Sequence, residues 1–113
     1  MVQLSAMASE WFDDTLERDI ELRFTSAVEA EGWVVRKVEW PGRRGAPDRC
    51  CLGPDERVLW AEIKRPVGGR LAPLQKREHR ILRAVGQSVW MIWNHADIER
   101  FVRVAIRGQR DAV

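Results

Sequence analysis

The chain has 113 residues, 45% of them apolar, and a formal net charge of +2. That length carries one hydrophobic core, so a single domain over residues 1–113 is expected. No run of 18 apolar residues occurs, which excludes a membrane-spanning helix.

The first residues lack a basic segment followed by an apolar block, so no secretory signal is expected and the chain reads as cytoplasmic. Cys50 and Cys51 are adjacent and stand alone. Two such cysteines make neither a disulfide framework nor a zinc site, and they are read as small strand residues. The small net charge hides an asymmetry. Residues 1–30 carry two basic and seven acidic side chains, residues 31–64 seven and six, and residues 65–113 ten and four. A basic half points to a polyanionic partner, with a solvated arginine-rich surface as the alternative.

Taken in chain order, residues 9–30 have helical spacing, with Leu16, Ile20, Phe24, Ala27 and Val28 on one stripe. Ser9 can cap this helix, and Gly32 follows its end. Trp33–Trp40 reads as a strand, and the turn-rich Pro41–Pro47 loop follows. Asp48–Leu52 is a short strand, Gly53-Pro54-Asp55-Glu56 a hairpin turn, and Arg57–Lys64 an apolar and hence central strand. After a Pro/Gly-rich loop, Pro73 opens a second helix whose apolar positions are Leu74, Ile81, Leu82 and Val85, stopped by Gly86. Ser88–Trp93 is a fourth strand. Asn94 or His95 opens a last helix with Ile98, Phe101, Val102 and Ala105 inward, ended by Gly108.

The first three strands are joined too tightly for crossovers and form an antiparallel meander. The strand–helix–strand unit that follows implies a right-handed parallel connection. The expected fold is therefore α/β, a mixed four-stranded sheet flanked by helices.

Two fragments carry chemistry: Pro47-Asp48 and, fourteen residues after Asp48, Glu62-Ile63-Lys64. Strand alternation puts Glu62 and Lys64 on one face, about 6.6 Å apart, and Ile63 on the other. Asp48 opens the neighbouring strand within reach of the same spot. Two carboxylates can hold Mg²⁺, which prefers oxygen ligands. A lysine beside them can orient water or offset charge on a phosphate in transfer. The alternative is a cross-strand ion pair on a solvated sheet face.

The stretch Gly42-Arg43-Arg44-Gly45-Ala46-Pro47-Asp48, then Trp60-Ala61-Glu62-Ile63-Lys64, then Leu74-Gln75, resembles the VRR-NUC family, nucleases of the PD-(D/E)XK superfamily. The likeness runs from about Asp19 to Trp93 and implies a helix–three strands–helix–strand core. It implies that Asp48 and Glu62 are ligands of Mg²⁺ or Mn²⁺, with the backbone carbonyl of Ile63 beside them, and that Lys64 is the catalytic lysine. Gln75 matches a glutamine near the active site. Glu21 matches an acidic residue of the first helix, a possible further ligand, with an exposed helical glutamate as the alternative. Cys50 and Cys51 stand where larger aliphatic residues are usual, and Ala72 where a Ser or Thr cap is common.

Short relatives of this kind are phage or bacterial nucleases and structure-selective resolvases, so the resemblance implies a DNA endonuclease, cutting four-way junctions as a homodimer. A flap, nick or less selective nuclease and a non-catalytic nucleic-acid-binding module are the alternatives. Arg43, Arg44 and Arg70 are the expected DNA contacts, through phosphates rather than base edges. Trp33, Trp60 and Trp93 are expected in the core. Trp40 and Trp11 are expected to pack in the core or at an interface, with base stacking as the alternative. His79 is read as a surface histidine and His95 as one near a helix cap.

Overall fold

A computed structural model of the protein describes residues 17–66 and 68–110. Residues 17–30 are helical (α1). Three strands follow: β1 (Val34–Lys37), β2 (Arg49–Leu52) and β3 (Val58–Ile63). Helix α2 (Pro73–Ala84) leads to β4 (Val89–Ile92). Helix α3 (His95–Arg100) then continues as wider π-helical turns over Phe101–Ile106. The expected Ser9 cap, Leu16 and Trp11 lie outside the described residues. No helix among the described residues is long and apolar enough to cross a membrane.

The strands lie in the order β1-β2-β3-β4, antiparallel up to β3 and parallel between β3 and β4. This is the mixed sheet that the loop lengths require. The ladders are a residue or more shorter at their ends than the apolar runs suggest.

One face of the sheet is dry. Val35, Cys51, Leu59, Ala61, Ile63 and Ile92 meet Ile20, Phe24 and Val28 of α1 and Ile98, Phe101 and Ala105 of the last helix. Phe24 and Phe101 touch at 5.0 Å between ring centres, and Trp90 stands edge-on to Phe101. On α1 and the last helix the stripes read from the sequence face this side, with Ala27 and Val102 half-buried at its edge. Cys50 and Cys51 are both buried free thiols, and burial pushes the Cys51 thiol up to about 12, which leaves it uncharged and inert.

The β2–β3 hairpin turns where the sequence places it, and one helix departs from the sequence reading. In the β2–β3 hairpin the left-handed residues are Asp55 and Glu56 (φ 58° and 63°), and Arg57 N–H donates to the Pro54 carbonyl. Two positive φ values match the twist of the flanking strands. Gly53 serves another purpose: a Cβ there would fall 2.3 Å from the Trp33 ring. Arg57 then lies over that ring at 4.9 Å and donates to the carbonyls of Ala105 and Ile106, tying the hairpin to the end of the last helix.

The departure is the orientation of α2. Leu74 and Ile81 are exposed, as is Val85 just past the helix end, by 71%, while Leu82 is half-buried and Glu78 and His79 are buried. Of the expected apolar positions only Leu82 is turned partly inward. Helix α2 covers the second face of the sheet, which carries Glu62, and its two buried residues are polar. Trp33 is buried as expected, whereas Trp60 and Trp93 are half-buried.

Gly45 fixes how the loop before β2 meets α2. Its φ is +89°, and a Cβ would lie 2.5 Å from the Leu74 carbonyl group and 2.7 Å from the Gln75 nitrogen. Gly45→Ala combines a left-handed penalty with a backbone clash, so it should destabilise the fold by roughly 2–4 kcal/mol in urea denaturation. A loss under about 0.5 kcal/mol, typical of an unremarkable surface change, would contradict this packing.

Candidate functional site

The site grows out of the β2–β3 register. Arg49 pairs with Ala61, so one step outward Asp48 stands opposite Glu62. Period-two alternation puts Lys64 on the face of Glu62 and leaves the Ile63 side chain in the core on the other face. The backbone at Asp48 is pinned from both sides. Val38 N–H donates to the Asp48 carbonyl at 2.8 Å, and the Trp40 indole N–H donates to the Pro47 carbonyl at 2.9 Å. Trp40 is half-buried against Trp60, 5.2 Å between ring centres, so it packs rather than standing free.

Glu62 is only 6% exposed. Burial, and then the charge of Asp48, push its carboxyl up to about 7, against the opposing pull of Lys64 and Arg49. Asp48 divides its two oxygens. Oδ2 meets the Arg49 guanidinium at 2.9 Å, whereas Oδ1 is buried with no hydrogen-bond partner among the described residues. Arg49 is buried and reaches Glu21 Oε1 of α1 with its other arm at 3.2 Å. Glu21, Arg49 and Asp48 thus form one chain of charge running from α1 to the site.

From the opposite side, His79 of α2 brings Nε2 to 3.8 Å from Glu62 Oε1. His79 is wholly buried, which corrects its reading as a surface residue. Burial, then Arg83 and Lys64, push its imidazole towards the neutral form. The contact is therefore not an ion pair.

The structure brings Asp48, Glu62 and Lys64 together as the spacing suggests, and joins Glu21 to them through Arg49. Gln75 is engaged locally: its Oε1 accepts from Ala72 N–H at 2.8 Å, which caps α2 where Ala72 itself has no side-chain acceptor. Arg43 approaches Glu78 at 3.6 Å and lines a groove of about 450 Å³ with Trp40, Arg44 and Arg77. Arg70 is exposed in the loop after β3, outside that groove. His95, exposed near its helix start, meets Asp19 at 3.3 Å, and Asn94 is the residue that caps α3.

Sequence reasoning missed Arg49 and His79. For Arg49 a signal exists, because alternation from Asp48 turns it to the core face, where a guanidinium needs an acid from a packed helix. For His79 none exists in the chain itself.

Among the described residues no group of three or more His, Cys, Asp or Glu side chains forms a metal cage. Two carboxylates suffice for a hard cation that keeps most of its waters. The unpartnered Asp48 oxygen and the strained ionisation of Glu62 fit such a cation, since positive charge would satisfy both.

No family model matches the chain. A protein of Acyrthosiphon pisum secondary endosymbiont phage 1, named "Putative nuclease p44", is 40% identical over 73 residues, which make up 65% of this chain and 77% of that protein. Among solved structures, a VRR_NUC domain superposes with a TM-score of 0.71 at 28% identity, covering 76% of this chain and 92% of that one. The mixed sheet with flanking helices is the PD-(D/E)XK-like fold of that neighbour. By sequence and by fold, the chain belongs to the VRR-NUC family of nucleases.

Proposed function

We propose that the chain is a metal-dependent, structure-selective DNA endonuclease that resolves four-way junctions as a homodimer. The observation that carries the catalytic part is the pair of carboxylates on adjacent strands, Asp48 with a bare buried oxygen and Glu62 with a disfavoured charge, beside Lys64. Asp48 and Glu62 are the residues that would hold Mg²⁺ or Mn²⁺, with the Ile63 carbonyl as a further donor. Bound there, the cation would supply Lewis acidity towards the scissile phosphate and its attacking water.

The chain's own groups do the rest. Lys64 orients the attacking water and offsets charge on the phosphoryl oxygens. Arg49 holds Asp48 in place and is itself held by Glu21, so Glu21 acts through Arg49. Gln75 fixes the start of α2 beside the Gly45 loop. Arg43, Arg44 and Arg77 around the groove, and Arg70 beyond it, bind phosphates without reading sequence.

Each chain carries one such carboxylate pair and makes one cut. A four-way junction needs two cuts related by a two-fold axis, which two identical subunits supply directly.

Cleavage of a labelled synthetic four-way junction with Mg²⁺ or Mn²⁺, beside linear duplex, flap and single strand, tests this reading. Paired symmetric nicks in the junction are expected, reduced about 10²–10³-fold by Lys64→Ala. Cutting of the flap or of every substrate would keep the nuclease and remove the junction preference. Intact binding without cutting would favour the binding module.

The ionisation of Glu62 gives a second, metal-free test. Its folded-state value, about 7, lies above the ordinary 4.5. The folded protein therefore holds this proton more tightly than the unfolded chain. The associated stability is fully present below about pH 4.5 and is lost as the pH rises through about 7, up to roughly 3 kcal/mol. With a chelator present, Glu62→Gln should therefore be more stable than the parent at pH 8 and similar to it at pH 4, as read by denaturant unfolding. Parallel pH profiles for the two proteins would contradict the buried, disfavoured charge.

A further inference from the structure

Helix α2 packs on the sheet with Glu78 and His79 buried and Leu82 half-buried, and its wholly buried position is an imidazole. An apolar side chain would fill that space without leaving polar atoms to satisfy. Neither ring nitrogen of His79 has a hydrogen-bond partner among the described residues. Glu62 Oε1 lies 3.8 Å from Nε2, about 1 Å beyond a normal hydrogen bond. A shift of about 1 Å would bring the two within hydrogen-bonding distance.

We propose that His79 is a positioning residue for Glu62: its Nε2–H donates to Oε1 and leaves the second carboxylate oxygen to the cation shared with Asp48. This rests on the metal-binding reading above. A neutral imidazole has one N–H to give and adds no charge to repel the cation. Helix α2 is a suitable carrier. Gly45 packs on its first turn, and Arg83 donates to the Val89 carbonyl at 2.8 Å, so the helix is held near both of its own ends, by the loop before β2 and by β4. A partner behind a metal ligand fixes that ligand's direction and raises its affinity for the ion.

The test is Mn²⁺ binding, followed by loss of the free-ion electron paramagnetic resonance signal, for the parent, His79→Phe, His79→Gln, His79→Asn and Glu62→Ala. Phe fills the ring's space without a donor. Gln sets an amide N–H near the Nε2 position, and Asn sets one near Nδ1. The expected result is Mn²⁺ affinity about 10- to 100-fold weaker in His79→Phe and His79→Asn, with most of the affinity kept in His79→Gln. Circular dichroism reports whether each variant folds, and a merely structural histidine would not show the split between Gln and Asn. Parent-like affinity in His79→Phe, or equal affinity in His79→Gln and His79→Asn if the Phe variant does not fold, would overturn the role of His79 while leaving the metal site standing. Absence of Mn²⁺ binding in the parent would overturn the metal reading itself, and this proposal with it.

Discussion

A carboxyl group on an inner strand, closed to water from the sheet side and from the helix side, is the constraint on which this structure turns. Ionising Glu62 in that setting costs several kcal/mol unless charge of the opposite sign compensates. The protein supplies only part of that compensation. Lys64 and Arg49 favour the charged form, whereas Asp48, directly across the ladder, disfavours it. Arg49 is already shared between Asp48 and Glu21. Asp48, Glu62 and Glu21 against Lys64 and Arg49 leave one negative charge uncompensated, which a divalent cation would offset under the proposed reading.

The two faces of the sheet divide the work. The dry face joins β2, β3 and β4 to α1 and the last helix through Phe24, Ile63, Ile92 and Phe101, and its packing gives the strands their rigidity. The other face, covered by α2, carries the Asp48–Glu62 pair. Asp48 and Glu62 are held to one register by backbone ladders, not by long side chains. Trp40 and Trp60 add a second support under Pro47. Helix α2 follows the same division: it turns Glu78 and His79 to this face and leaves Leu74 and Ile81 exposed.

Element order and the central motif were legible in the sequence because both rest on local rules. Period-two alternation settles that Glu62 and Lys64 share a face, and loop length settles that the first three strands form a meander. What was not legible depends on neighbours distant in the chain. Helix α2 turns Glu78 and His79, not Leu74 and Ile81, to the face of β3 that carries Glu62, and its apolar spacing does not show this. The burial of His79 follows from that orientation. The need for a glycine at position 53 is set by Trp33, twenty residues earlier. Arg49 was within reach of sequence reasoning, because its neighbour Asp48 fixes which face it must take.

The central claim is that Asp48 and Glu62 together bind a divalent cation. Calorimetric titration of the full chain with Mn²⁺, beside Asp48→Ala, tests it most directly. The account predicts saturable binding in the parent that Asp48→Ala abolishes while the variant remains folded. Binding of equal strength in Asp48→Ala, or none in the parent, would contradict it.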